Sequence, residues 1–399
     1  MHLNPRIDSL SAYPFKRLAD LLAGIEPVRA DRVNLTIGEP QFAPPPAIAS
    51  VVSAHAHLWN KYPPNTGTPE FRAAAASWLS KRFSLPIDAL DPERSVVPCS
   101  GTREGLFMLG LAACPEAKAG KRPVIAMPNP FYHVYETAAN IAGAEAVFLS
   151  AEATGGFLPA LDAIKPDLLD RIAVFFLCSP ANPQGTIAPT DYLSELIRLA
   201  RKHDFVVAFD ECYSEVYTGA PPPGGLGAAL AVGPGPRGGW LDNVVVFHSL
   251  SKRSSAPGLR SGFMAGDPEL VSAFARLVGS AGVPTPLPLL AAATALWSDE
   301  EHVETYRAAY RENFRAAERH FGSRGWRAPG GGFYLWLDVG DGEAVAQRLW
   351  RDGGIRVMPG AYMARGTGAA NPGHRYIRAA LVHPPQVTAD ALARVAALL

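Results

Sequence analysis

Lys252 stands in Ser249-Leu250-Ser251-Lys252, with Arg260 eight residues on, and downstream of both Asn182-Pro183-Gln184-Gly185 and Asp210-Glu211-Cys212-Tyr213. A neutral lysine amine attacks an aldehyde to form an imine, and burial or nearby positive charge lowers its pKa enough to supply that form. A carboxylate such as Asp210, facing a pyridine nitrogen, keeps it protonated and lets the ring accept electron density. Tyr213 and Asn182 offer a phenol and an amide to a ring hydroxyl. Ser249 and Arg260 offer a hydroxyl and a guanidinium to a phosphate, the latter able to grip it twice. Ser100-Gly101-Thr102 precedes a predicted helix starting near Arg103, whose free amides and positive dipole end suit the same anion. Singly, each piece has a plainer reading: a solvated lysine, a capping aspartate, a turn at Asn182-Pro183. Jointly they describe a cradle for a phosphorylated pyridine aldehyde.

Such groups need a scaffold that brings them to one place. Val124–Met127, Ala146–Leu149, Ile172–Cys178, Phe205–Phe209 and Val244–His248 are short apolar runs that read as buried strands. They alternate with helical patterns at Arg103–Cys114, Asp191–His203 and Pro268–Ser280, which predicts an α/β fold with a mostly parallel sheet covered on both faces. Ligands in such sheets gather at the carboxyl ends of the strands. Asn182, Asp210 and Ser249 each follow such an end. Beyond about Pro288 the pattern changes to a long helix, Asp299–Phe321, a strand, Gly332–Val339, and a helix near Glu343–Arg351, consistent with a smaller α+β domain. The Pro- and Gly-rich stretch Ala220–Gly239 reads as a surface loop.

Lys+Arg and Asp+Glu both number 37 in 399 residues, so no net charge and no basic run point to nucleic acid. Cys99, Cys114, Cys178 and Cys212 fit neither a zinc spacing nor a disulfide framework; free thiols in a reducing compartment are expected, and no metal. The N-terminus lacks an apolar signal core and no run approaches a membrane span, so a cytoplasmic protein without membrane contact is expected.

From the first ten residues to Arg378 the order resembles the class I/II aminotransferases of fold type I, which use pyridoxal 5′-phosphate. Asn4–Leu10, Asp210–Tyr217 and Ser249–Ser254 resemble in particular bacterial N-succinyldiaminopimelate aminotransferase. The resemblance implies a large domain, residues 47–287, with a seven-stranded sheet, and a small domain made of residues 1–46 and 288–399. It implies a ping-pong exchange in lysine and diaminopimelate biosynthesis, with Lys252 carrying the proton, between the succinylated compound and 2-oxoglutarate. It makes Tyr132, in Asn129-Pro-Phe-Tyr132, the ring that stacks on the cofactor, and Arg378 the fork for the substrate α-carboxylate, beside the Gly38 amide. It makes Tyr62 a phosphate ligand supplied by the neighbouring subunit of a homodimer. His133 reads as a local structural residue.

The groups that hold the far end of the substrate are not fixed by spacing; Arg253, Arg103 and Arg365 are candidates, with Tyr362 or Asn371 assisting. The segment Val283–Pro288 departs from the family near the substrate pocket. Aspartate, alanine or aromatic aminotransferases and a C–S β-lyase share the same cofactor site. A cofactor-binding transcription regulator would need a DNA-binding module ahead of this domain, for which the sequence offers no room.

Overall fold

A computed structural model describes residues 3–399. Its largest sheet has seven strands in the spatial order Val96–Cys99, Gly262–Gly266, Val244–Ser249, Val206–Asp210, Ile172–Cys178, Val124–Asn129 and Glu145–Ser150. Gly262–Gly266 runs antiparallel to both its neighbours, and the other pairings are parallel. The central strands are apolar along their whole length because both faces are covered. In Val206–Asp210, Val206 and Ala208 pack on the helices Thr102–Ala113, His133–Ala142 and Pro268–Ala281. Val207 and Phe209 pack on Pro69–Arg82, Thr190–Lys202 and Leu287–Trp297. Side chains that alternate in this way leave Asp210 at the end of a strand that is rigid on both sides. Burying each large apolar side chain contributes about 1.5–3 kcal/mol relative to leaving it in water.

The second layer is a three-stranded antiparallel sheet in the order Met358–Pro359, Tyr376–Ala380, Tyr334–Asp338. Leu335, Leu337, Ile377 and Ala379 share a core with the helices Glu301–Phe321, Gly342–Gly353 and Pro385–Leu398. Val33–Asn34 pairs in parallel with Ile355–Arg356, which ties the N-terminal segment to this unit.

Two readings of the sequence change. Ala220–Gly239 is not a plain surface loop: Gly225–Val232 is a helix whose Leu226, Ala228 and Ala229 lie in the main core. The buried Glu211 carboxylate accepts a hydrogen bond from Gly225 N at 2.6 Å, so a tertiary contact caps the helix that the glycines disfavour. The expected division at residue 288 meets a helix, Leu287–Trp297, whose Leu290, Ala293 and Leu296 pack with the large sheet. No described helix is long and apolar enough to cross a membrane.

Candidate active site

Cys178, Asp210 and Ser249 end three adjacent parallel strands. Above those ends lies a cavity of about 400 Å³, lined among others by Asn182, Asp210, Tyr213, Ser249, Lys252 and Arg260. Thr102, Arg103, Tyr132, Gly38 and Arg378 line it as well. Eleven of the residues singled out by sequence, scattered over 340 positions, thus face one space.

Lys252 belongs to a short helical turn, Leu250–Arg253, and its amine donates to the Gly38 carbonyl. Burial lowers its pKa to about 8, with Arg378 and Arg260 acting in the same direction against Cys212 and Glu39. The amine is therefore deprotonated far more readily than a surface lysine.

The Asp210 carboxylate accepts from Tyr135 Oη at 2.8 Å and Cys212 N at 3.3 Å, and is 4% exposed. Burial pushes its pKa up, while these hydrogen bonds and the neighbouring His248 pull it down. Among the described residues it has no ion-pair partner. A buried carboxylate with donors on two sides and no cation is matched to an incoming positive group such as a protonated pyridine.

Tyr213 Oη and Tyr334 Oη lie 2.9 Å apart, and Asn182 Oδ1 accepts from Arg378 Nη1 at 2.9 Å. Arg378 also donates to the Thr36 carbonyl at 2.5 Å, lies over the Tyr334 ring and keeps a buried Nε without a partner. A side chain at Gly38 would overlap the Tyr334 phenol, so the backbone here closes on the cavity only as glycine.

The anion end is built by the helix Thr102–Ala113, Ser249 and Arg260. Gly101 caps that helix at φ 86° and leaves its first amides free. A Cβ at Gly101 would overlap the Arg260 guanidinium, which donates to the Ser100 carbonyl at 3.2 Å. Gly101→Ala is accordingly expected to cost about 1–2 kcal/mol in backbone strain and to weaken cofactor binding roughly tenfold. Titration of the cofactor-free protein, followed by absorbance, measures this; unchanged affinity would remove Gly101 from the site. The Ser249 hydroxyl accepts from Ser251 N at 3.1 Å. The residues present fit pyridoxal phosphate: a buried carboxylate for the ring nitrogen, a basic amine, and a helix start with a hydroxyl and guanidinium for the phosphate.

Some expected positions lie elsewhere. The Ser100 hydroxyl turns away and donates to the Val283 carbonyl, which also puts Val283 and Thr285 behind the anion end rather than on the cavity wall. Tyr62 is fully exposed and does not line its own chain's cavity. Arg253 is buried against the Leu296 and Asp299 carbonyls and Glu300, away from the cavity. Asn371 is spent on the Ala361 and Gly366 carbonyls. Arg365 reaches the cavity but is clasped by Glu136, while Arg103 donates to Tyr132 Oη at 3.0 Å. His133 lines the cavity with its pKa lowered to about 4 by burial, Arg103 and Arg365.

Sequence reasoning passed over Tyr135, Tyr334 and the buried pair His248–Glu211, 2.9 Å apart, which joins the residues next to Ser249 and Asp210. Tyr135 lies three residues beyond Tyr132 at the start of the helix His133–Ala142, a spacing that places both on one side. That signal was available. Nothing in the sequence pairs His248 with Glu211.

The profile of the aminotransferase class I and II family matches residues 30–394. An LL-diaminopimelate aminotransferase of Desulforudis audaxviator is 30% identical over 98% of this chain and 96% of its own length. A Streptomyces rimosus 4-dedimethylamino-4-oxo-anhydrotetracycline transaminase is 31% identical over 91% and 92%. The crystal structure of an aminotransferase from Neisseria meningitidis Z2491 superposes with a TM-score of 0.92 at 36% identity, covering 99% of this chain and all of the other. The expected succinylated substrate is overturned: the diaminopimelate relatives are named for LL-diaminopimelate itself. The signatures that suggested it, around Asp210 and Lys252, surround the cofactor cradle, which substrates of many kinds share. With its cradle and its near full-length agreement, this chain belongs to the class I and II aminotransferases, enzymes that exchange amino groups between amino acids and 2-oxo acids with pyridoxal phosphate as cofactor.

Proposed function

We propose that the protein transfers an amino group from LL-diaminopimelate to a 2-oxo acid. The observation that carries this reading is the agreement with relatives of that name along nearly the whole chain. The charges in the cavity support it: diaminopimelate ends in an ammonium and a carboxylate at both extremities, and the cavity presents the Glu39 carboxylate and the Arg103 guanidinium besides Arg378. In this reading Arg378 and the Gly38 amide hold the α-carboxylate at the reacting end. Lys252 moves the proton between the substrate Cα and the carbon that receives the amino group. Asp210 holds the ring nitrogen protonated, Tyr213 and Asn182 the ring hydroxyl, and Tyr132 covers one face. Thr102, Ser249 and Arg260 hold the phosphate, with Ser100, Gly101 and Arg103 contributing backbone. When bound, the cofactor supplies the electron sink for charge developing at Cα.

The exposed Tyr62, with Trp59 half-exposed nearby, supports a homodimer in which this tyrosine completes the partner's phosphate site. Four free cysteines support a reducing, cytoplasmic setting. The packing of Leu287–Trp297 supports a small domain made of the N-terminal segment to about residue 46 and the chain from about residue 301.

A donor panel tests the substrate. LL-diaminopimelate, N-succinyl-LL-diaminopimelate, aspartate, alanine and phenylalanine are supplied with pyruvate, oxaloacetate or 2-oxoglutarate, and product amino acids are quantified. LL-Diaminopimelate is expected to exceed every other donor in kcat/KM by at least about tenfold, the worth of one well-made ionic contact. A different preferred donor would refute the substrate and leave the family assignment intact.

A further inference from the structure

Behind the wall that carries Arg378 lies a second cavity, of about 910 Å³, between the open edge of the small sheet and the turn that follows Asn182. Phe157, Gln184 and Ile187 line it from one side, and Trp326, Trp336 and Tyr376 from the other. The Trp336 and Tyr376 rings are stacked with centroids 4.7 Å apart at 4°, and Phe157 meets Tyr376 edge-on at 6.4 Å. Such a wall favours a flat ring.

The cations lining the cavity are Arg324, Arg327, Arg348 and Arg375, and among the described residues Asp338 is the one acidic side chain in the lining, with the exposed Asp352 close to Arg348 from outside it. Arg375 is committed to Asp338 at 3.0 Å, and Arg327 donates to the Gly322 and Trp326 carbonyls. Arg324 has one long contact, 3.5 Å, to the Ala396 carbonyl. Arg348 has a buried Nε without a hydrogen-bond partner, and so does the indole nitrogen of Trp336, a residue only 6% exposed. Buried donors left unpaired are costly, and guanidiniums without a committed partner grip phosphate with two parallel hydrogen bonds.

We infer that this cavity binds a phosphorylated compound with a flat aromatic ring, of the nucleoside monophosphate kind, at a site separate from the catalytic one. The ring lies against Tyr376, which Trp336 backs on its other face, and the phosphate takes Arg348 and Arg324. Trp336 is the register partner of Arg378, and Gln184 is two residues from Asn182, which Arg378 grips. Occupancy therefore presses on the back of the carboxylate fork and is expected to change KM for the amino acid more than kcat. That kinetic effect rests on the role proposed for Arg378; the binding does not.

The test is calorimetric titration of adenosine 5′-monophosphate into the cofactor-loaded protein, whose own phosphate site is filled. One equivalent per chain is expected, with adenosine and inorganic phosphate each at least about tenfold weaker because each lacks half of the contacts. Arg348→Gln and Arg324→Gln are each expected to lose about tenfold in affinity while keeping transamination without the nucleotide. Arg324 is exposed, so its variant serves if Arg348→Gln fails to fold. Absence of binding, binding no tighter than phosphate, or affinity untouched in the folded variants would overturn the site. Binding with an unchanged KM would overturn the coupling.

Discussion

Lys252→Ala is expected to lower kcat by roughly 10³- to 10⁴-fold, because in the role proposed for it this amine carries the proton between Cα and the carbon that receives the amino group. The amine makes one hydrogen bond, to the Gly38 carbonyl, and burial already disfavours its charge. Its removal should therefore leave the thermal midpoint within a few degrees of the parent, separating lost chemistry from lost fold. Lys252→Arg is expected to be equally inactive, since a guanidinium stays protonated throughout the working range. Near-parental turnover of either purified variant would refute the assignment.

The lowered pKa adds a second readout on the same residue. Only the neutral amine attacks an aldehyde, and the amine loses its proton as pH rises through about 8. Capture of pyridoxal phosphate by the cofactor-free protein should then accelerate about fifty-fold between pH 6 and pH 8 and level off above pH 9, following the neutral fraction. An unburied lysine would keep rising towards pH 10.5. Stopped-flow absorbance across this range distinguishes the two, and a profile flat from pH 6 to 8 would contradict the burial argument.

What was legible in the sequence is the part dictated by local chemistry. The runs Ile172–Cys178, Phe205–Phe209 and Val244–His248 announce themselves because strands covered on both faces have to be apolar throughout. Their ends, marked by Asn182, Asp210 and Ser249, converge because parallel neighbours share a direction. The antiparallel strands Val96–Cys99 and Gly262–Gly266 escaped notice: one contains Pro98 and the other is bounded by glycines, both poor strand signals. Arg253 was one of three candidates for the far end of the substrate. In a helical turn, consecutive side chains point about 100° apart, and Arg253 turns into the protein while Lys252 turns to the cavity. The groups for the far end of the substrate were left open by spacing for a related reason. The cavity lining there is drawn from separate segments, Glu39 and Arg103 among them, and only the folded arrangement makes a set.

Replacing Arg378 is the second change with a large expected effect, and it isolates substrate from cofactor. The guanidinium is 4% exposed, fixed by Asn182 Oδ1 and the Thr36 carbonyl, stacked on Tyr334, and left with an unpaired buried Nε. A planar fork held in this way meets a carboxylate with little further ordering. Arg378→Ala is expected to lower kcat/KM for amino acids by about 2–5 kcal/mol, roughly thirty- to five-thousand-fold, the cost of stranding one member of a desolvated charge pair. Cofactor affinity should hardly change. Arg378→Lys should recover part of the loss, because an ammonium restores charge without the two parallel donors. The discriminating comparison is between an amino acid and the amine that lacks its carboxylate, both followed through the first half-reaction. If Arg378 reads the carboxylate, the variant penalises the amino acid and spares the amine, so the preference between them collapses. An equal loss for both would mean that Arg378 acts through Asn182 on the cofactor ring, and the carboxylate fork would have to be sought elsewhere in the cavity, with Arg103 next in line.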